Sequence, residues 1–219
     1  MPVESLNTKF EALSTVTNRT ISYNNVNQTE EVIVMEDNLT GFTNIQKLAP
    51  DIIVELRYAT TNNFTHQVIY DFTTAIVRTG TAHKLAQASA SVKQLGYRLK
   101  VWDAYRPVSA QKRLFDVYPD PEFVAPPNPN FSHQKGVTLD LTLTEADGTE
   151  LPLPTAFDDF TAAAHRDAPR TTLQDKYYQI LDNAMISAGF VGYENEWWDY
   201  RDADMDDYQP LAADPNDYK

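Results

Sequence analysis

The sequence predicts an α+β fold, a single domain with a central antiparallel sheet flanked by helices. Three observations carry this. Residues alternate between apolar and polar at 52–56 and 137–143, as in half-buried strands. Apolar residues recur at helical spacing over 83–95 and 172–188, and each run stops at a glycine, Gly96 or Gly189. The order mixes helices with strands, and the later strands look antiparallel. A chain of 219 residues is long enough to bury a sizeable core.

Residues 1–40 are polar and rich in Asn, Thr and Glu, with one apolar patch at Val32-Ile33-Val34-Met35. They read as a peripheral extension, a helix and a strand laid on a main domain spanning 41–219. Ile52, Val54 and Leu56 form a strand that ends at Arg57-Tyr58-Ala59. A Thr- and Asn-rich loop follows, then a short run at Val68–Tyr70. The helix of 83–95 comes next. Leu99, Val101 and Trp102-Asp103 read as a buried strand, and Pro107 opens a helix through Val117. Five prolines make 118–130 a loop. The strand at Val137–Leu143 turns at Ala146-Asp147-Gly148, a hairpin signal. The helix of 172–188 leads into a last strand, Phe190–Trp198, and an acidic tail.

Composition excludes several functions. No cysteine is present, which removes disulfides, cysteine-bound zinc and thiol catalysis. A transition-metal site must therefore use His, Asp, Glu or water, and only four histidines exist: His66, His83, His133 and His165. A net charge of -13 argues against nucleic-acid binding, which needs a positive surface. No apolar run is long enough to span a bilayer. Met1–Thr20 lacks the basic start and apolar block of a secretory signal, so the expected location is the cytoplasm.

Three segments concentrate chemistry. In Ser132-His133-Gln134-Lys135-Gly136-Val137-Thr138-Leu139-Asp140, alternation puts Val137, Leu139 and Leu141 on one face and Thr138, Asp140 and Thr142 on the other. A turn at Gly136 can fold His133 alongside Asp140, which makes half of a metal site; a solvated histidine and a strand-capping aspartate fit the spacing equally. In Glu196-Trp197-Trp198-Asp199 the two acids are three apart, so a flat strand sends them to opposite faces and convergence requires a bend or bulge. Two buried tryptophans at a strand end explain that tetrad without chemistry. In Trp102-Asp103-Ala104-Tyr105-Arg106-Pro107, Arg106 can project into a pocket and hold an anion, or form a structural ion pair with Asp103.

Taken in order, these segments, with Tyr58-Ala59-Thr60 and Asn63-Phe64 before them, resemble the VanX-type D-alanyl-D-alanine dipeptidases, zinc peptidases related to D,D-carboxypeptidases. The resemblance runs from about Asp51 to about Tyr200. It implies a small α+β metallopeptidase domain with one zinc per chain and a D,D-dipeptide substrate. His133 and Asp140 match the first two zinc ligands, Glu196 the general base, and Arg106 the arginine that steadies the oxyanion. Tyr58, Ser132 and Asp158 match pocket residues, with Asp158 meeting the substrate's free amine.

The chain departs from that pattern where the family's third zinc ligand, a histidine, is replaced by Asp199. Carboxylates also ligate zinc, so Asp199 itself is the favoured third ligand. His165, in the segment after Asp158, is the alternative, and loss of the metal is the third explanation. A His-Asp-Asp set polarises water less than a neutral set and admits Mn or another oxygen-preferring divalent ion. A second departure, Thr138 in place of a small apolar residue, is expected to be tolerated. The expected activity is metal-dependent hydrolysis of D-Ala-D-Ala. The alternatives are a D,D- or L,D-carboxypeptidase acting on a longer cell-wall peptide, and a metal-impaired dipeptide-binding module.

Overall fold

The computed structural model describes residues 38–121 and 124–219. The expected helix and strand of the N-terminal extension lie outside the described residues. Among those described, no helix is long and apolar enough to cross a membrane.

The strands are β1 (Phe42–Asn44), β2 (Ile53–Val54), β3 (Ile76–Arg78), β4 (Tyr97–Asp103), β5 (Thr138–Glu145), β6 (Phe190–Gly192) and β7 (Asp199–Asp202). The helices are α1 (Ile45–Leu48), α2 (Thr79–Gln94), α3 (Val108–Val117), α4 (Ser132–Lys135) and α5 (Thr172–Ser187). The main sheet has the order β2-β4-β5-β7-β6. It is antiparallel except at one edge, where β2 runs parallel to β4. β1 and β3 form a separate antiparallel pair.

The core follows from the sequence pattern. Leu139, Leu141 and Leu143 of β5 and Leu99 and Val101 of β4 are fully buried, each contributing about 1.5–3 kcal/mol. The stripe Leu85, Ala88 and Val92 of α2 and the stripe Leu181, Ala184 and Met185 of α5 face the same core. Thr171 and Gln174 cap α5 reciprocally. Neither face of β5 is solvated: Thr138, Asp140 and Thr142 are buried too, under the loops that make the site.

Three expectations need correction. First, Phe190–Trp198 is not one strand. The chain turns between β6 and β7, and Glu196-Trp197-Trp198 belongs to that turn. β-Formers dominate the segment, but only Phe190, Val191 and Gly192 find ladder partners there. Second, α2 starts at Thr79, four residues before the expected His83. Gly80 hides the start because it is a poor helix former; a side chain there would collide with the Tyr208 hydroxyl. Third, the strand expected at 52–56 is only two residues long, and a 3-10 turn at Arg57–Ala59 follows it. The hairpin turn at 146–148 forms, but beyond it β5 gains a single bridge, Thr144 to Glu150.

Two features of the sheet prepare the site. A bulge in β4 between Val101 and Asp103 makes Trp102 the extra residue, so Asp103 rather than Trp102 faces Asp140. In β5 and β7, Asp140 faces Asp199. Asp103, Asp140 and Asp199 therefore stand in one row across three strands.

Gly136 joins α4 to β5 at φ 74°, and a Cβ there would overlap the Phe42 ring. Gly96 has φ 88° but nothing near its missing Cβ. Gly96→Ala should therefore cost about 1 kcal/mol from backbone strain alone. Gly136→Ala adds the clash and should cost about 2–5 kcal/mol. Denaturant midpoints of the two variants check this, and equal losses would refute the role given to Phe42.

Candidate metal and peptidase site

All eight residues given a role from the sequence line one cavity of about 470 Å³. Two members of the aspartate row, Asp140 and Asp199, line it. His133, on α4, reaches it because Gly136 reverses the chain. The backbone N–H of Arg106 donates to the His133 carbonyl, tying the β4–α3 connection to the same turn.

The His133 ring is oriented by its Nδ1, which donates to the Ala104 carbonyl at 2.8 Å. A carbonyl accepts only, so Nε2 carries the free lone pair in the neutral ring. Nε2 lies 3.5 Å from Asp140 Oδ1 and 3.9 Å from Asp199 Oδ2. Ligand atoms of a tetrahedral zinc site with bonds near 2.0 Å sit about 3.3 Å apart. One oxygen each of Asp140, Glu196 and Asp199 lie within 4.8 Å of one another. Asp140 Oδ1 is buried and makes no hydrogen bond, a cost of about 1–3 kcal/mol or more that a cation removes. Asp199 divides its oxygens, Oδ2 toward His133 and Oδ1 accepting from Arg201 Nε at 3.1 Å. Together these features fit one divalent cation on His133, Asp140 and Asp199. Among the described residues, His165 neither lines the cavity nor joins a cluster of ligating atoms; it follows the 3-10 turn at Ala162–Ala164.

The turn between β6 and β7 supplies the bend that Glu196 and Asp199 need, and the Asp199 N–H donates to the Glu196 carbonyl. The flanking tryptophans are fully buried and pack edge to face, centroids 5.6 Å apart. The tryptophans of that tetrad are therefore core residues, and its two acids both line the cavity. Phe157 packs between Trp102 and Trp198 and holds the loop carrying Asp158. Asp158 has φ 58°, a conformation that non-glycine residues keep when their surroundings impose it. Tyr58 Oη donates to its carboxylate, lying 3.1 Å from both oxygens.

Arg106 makes the ion pair with Asp103 and still faces the cavity. Its Nε and Nη2 meet Asp103 Oδ2 at 3.0 and 2.6 Å, and its Nη1 donates to Gln111 at 2.9 Å. Nη2 is 4.0 Å from Asp140 Oδ2. Tyr70 Oη donates to Asp103 at 2.6 Å and accepts from Arg106. Asp103, Tyr70, Gln111 and Arg201 were not among the expected site residues. Asp103 alone left a signal, as the acid three residues before Arg106. Ser132, the first residue of α4, lines the cavity beside His133. The Thr138 hydroxyl is buried and makes no hydrogen bond.

The acids shift one another. Burial, then Asp140 and Asp199, pushes the Glu196 carboxyl up to about 8. Burial opposes charge on His133, but Asp140 and then Asp103 outweigh it and hold the imidazole at about 9. Burial and Asp140 also raise Asp199, and burial, Asp140 and Glu196 raise Asp158 well above the usual carboxylate range. Glu196 and His133 both bind a proton more tightly folded than unfolded, between pH 4.5 and about 8 and between pH 6.5 and about 9. The metal-free protein should therefore lose stability as pH rises through 6.5–8. A divalent cation, which displaces those protons, should remove the loss. Melting temperatures in chelator and in zinc across that range test this; a flat or rising metal-free curve would contradict it.

The family model described as D-ala-D-ala dipeptidase, of the M15 peptidases, matches residues 38–214. A D-alanyl-D-alanine dipeptidase of Escherichia coli K12 is 31% identical over 176 residues, 80% of this chain and 91% of that protein. The dipeptidase of Enterococcus faecalis V583 is 29% identical, over 74% of this chain and 91% of its own length. Among solved structures, a vancomycin-resistance D,D-pentapeptidase VanY in complex with Zn(II) superposes with a TM-score of 0.41 at 16% identity, covering 63% of this chain and 78% of that one. The match along nearly all of the described chain, on the same segments that build the cavity, makes this protein a member of the D-Ala-D-Ala dipeptidase family of M15 peptidases.

Proposed function

We propose that the protein is a metal-dependent dipeptidase that hydrolyses D-alanyl-D-alanine. The observation that carries this reading is that His133 Nε2 lies 3.5 Å from Asp140 Oδ1 and 3.9 Å from Asp199 Oδ2, while oxygens of Asp140, Asp199 and Glu196 cluster within 4.8 Å of one another. A divalent cation on those three ligands, zinc by family resemblance and manganese by the oxygen-rich ligand set, would supply Lewis acidity that polarises a carbonyl and lowers the pKa of water.

The remaining roles belong to side chains. Glu196 takes a proton from the attacking water as its oxygen bonds to the scissile carbon. It returns that proton to the amide nitrogen as the C–N bond breaks, giving two molecules of D-alanine. Arg106, locked by Asp103 and Gln111, presents a fixed positive charge to the developing oxyanion. Asp158, aligned by Tyr58, receives the substrate ammonium, and Ser132 completes the wall beside His133.

Glu196→Ala should lower D-Ala-D-Ala turnover by about a hundredfold or more while metal content stays near one per chain. Loss of the metal with Glu196 would make it a ligand instead. Asp199→Ala should strip the metal and His165→Ala should not; elemental analysis of both variants decides which residue completes the set. N-acetyl-D-Ala-D-Ala should be a poor substrate, because it leaves Asp158 buried without its ammonium. Its efficient cleavage would favour a carboxypeptidase.

A further inference from the structure

We infer that Arg201 receives the carboxylate of the substrate, so that the cavity reads both charged ends of a free dipeptide. The inference rests on the dipeptidase reading above. A dipeptide carries its ammonium and its carboxylate on opposite sides of one peptide bond, with the two Cα atoms about 3.8 Å apart. A site that cleaves this bond after binding the ammonium at Asp158 has room for a cationic receptor on the far side of the ligand cluster.

The sheet order puts Arg201 on that side. Tyr58, which aligns Asp158, follows β2 at one end of the sheet; Arg201 lies on β7, opposite Thr138 of β5 and Val191 of β6. Arg201 and Asp199 are two apart on one strand, so both side chains face the cavity. The Arg201 Nε is committed to Asp199 Oδ1, and the guanidinium stacks on the Tyr193 ring at 4.1 Å. Those two contacts fix the plane of the fork. Its two terminal nitrogens take no hydrogen-bond partner among the described residues, and the side chain is 29% exposed. A planar fork held in place with free ends is the geometry that pairs with a carboxylate.

The other cavity cations are less available. Arg106 is engaged by Asp103, Tyr70 and Gln111. Lys135 donates to the Met205 carbonyl at 3.1 Å. Asp206 also lines the cavity, yet among the described residues Arg201 pairs with Asp199 alone.

The test compares D-Ala-D-Ala with its C-terminal amide on the metal-loaded full chain, in the wild type, Arg201→Gln and Arg201→Lys. Gln keeps a donor for Asp199 without the charge, and Lys keeps the charge. In the wild type the amide should be poorer in kcat/KM by on the order of tenfold to a hundredfold, the range for a charged hydrogen bond. Arg201→Gln should lose a similar factor on the free acid, mainly through KM, and little more on the amide. Arg201→Lys should recover part of the loss. Metal content, measured on each variant, should be unchanged. Equal losses on acid and amide, or a loss that follows metal content, would assign Arg201 to holding Asp199 and overturn the inference. Calorimetric binding of both ligands to Glu196→Gln protein separates the two readings. Acid-selective binding that depends on Arg201, without wild-type turnover, would uphold the carboxylate receptor and sink the dipeptidase. Absence of acid-selective binding would overturn the receptor.

Discussion

The structure depends on a row of like charges. Asp103, Asp140 and Asp199 are direct cross-strand neighbours on β4, β5 and β7, all buried, and Glu196 adds a fourth carboxyl. Like charges directly opposed on a sheet are destabilising, and burial multiplies that repulsion. A sheet assembled for stability alone would fill those positions with Val or Thr. The row persists only because cations meet it: Arg106 on Asp103, the His133 imidazole between Asp140 and Asp199, and Arg201 on the outer oxygen of Asp199. The compensation is incomplete, since one buried oxygen of Asp140 makes no hydrogen bond and the Glu196 carboxyl is driven to hold its proton. A divalent cation fits the sign, the size and the position of the remaining deficit.

The surrounding fold works to keep that row from relaxing. Leu139, Leu141 and Leu143 anchor β5 in the core on one face while its other face carries the charge. The Trp102, Phe157, Trp197 and Trp198 rings pack against one another on the side of Asp158, and such contacts contribute about 0.5–1.5 kcal/mol each beyond area burial. Arg166 ties the β6–β7 turn from behind, donating to the carbonyls of Tyr193, Trp197 and Asp199. The turn that brings Glu196 to Asp199 is thus fixed from both sides, and two acids three residues apart stay convergent.

What could be read from the sequence follows from the range of the forces involved. The β5 strand and the α2 and α5 helices announce themselves locally, through alternation, a 3.6-residue period and terminal glycines. The pairing of His133 with Asp140 was legible because one glycine mediates it within eight residues. The bulge at Trp102 was not, since nothing local distinguishes Trp102 from Asp103 as the residue that faces β5; the ladder decides it. For the same reason Phe190–Trp198 looked continuous, although residues 193–198 turn between β6 and β7. Arg201 was invisible as a site residue because its meaning depends on Asp199 being a ligand rather than a core residue.

That dependence bears on the departure at position 199. A neutral histidine there, as the family resemblance expects, would leave two acids in the row. Asp199 makes three, and burying its second oxygen without a donor would cost about 1–3 kcal/mol or more. Arg201 removes that cost, because strand alternation returns residue 201 to the same face and its Nε reaches Asp199 Oδ1. The pair behaves as one unit: the carboxylate presents a single oxygen to the cluster, and the guanidinium cancels part of the charge the carboxylate adds. An aspartate can therefore stand where an imidazole is expected without making the cluster much more negative, provided an arginine follows it two residues later. Sequence comparison at position 199 alone would score the change as loss of a ligand. Read with position 201, and on the metal-dependent reading proposed above, it is a change of ligand with its compensation attached.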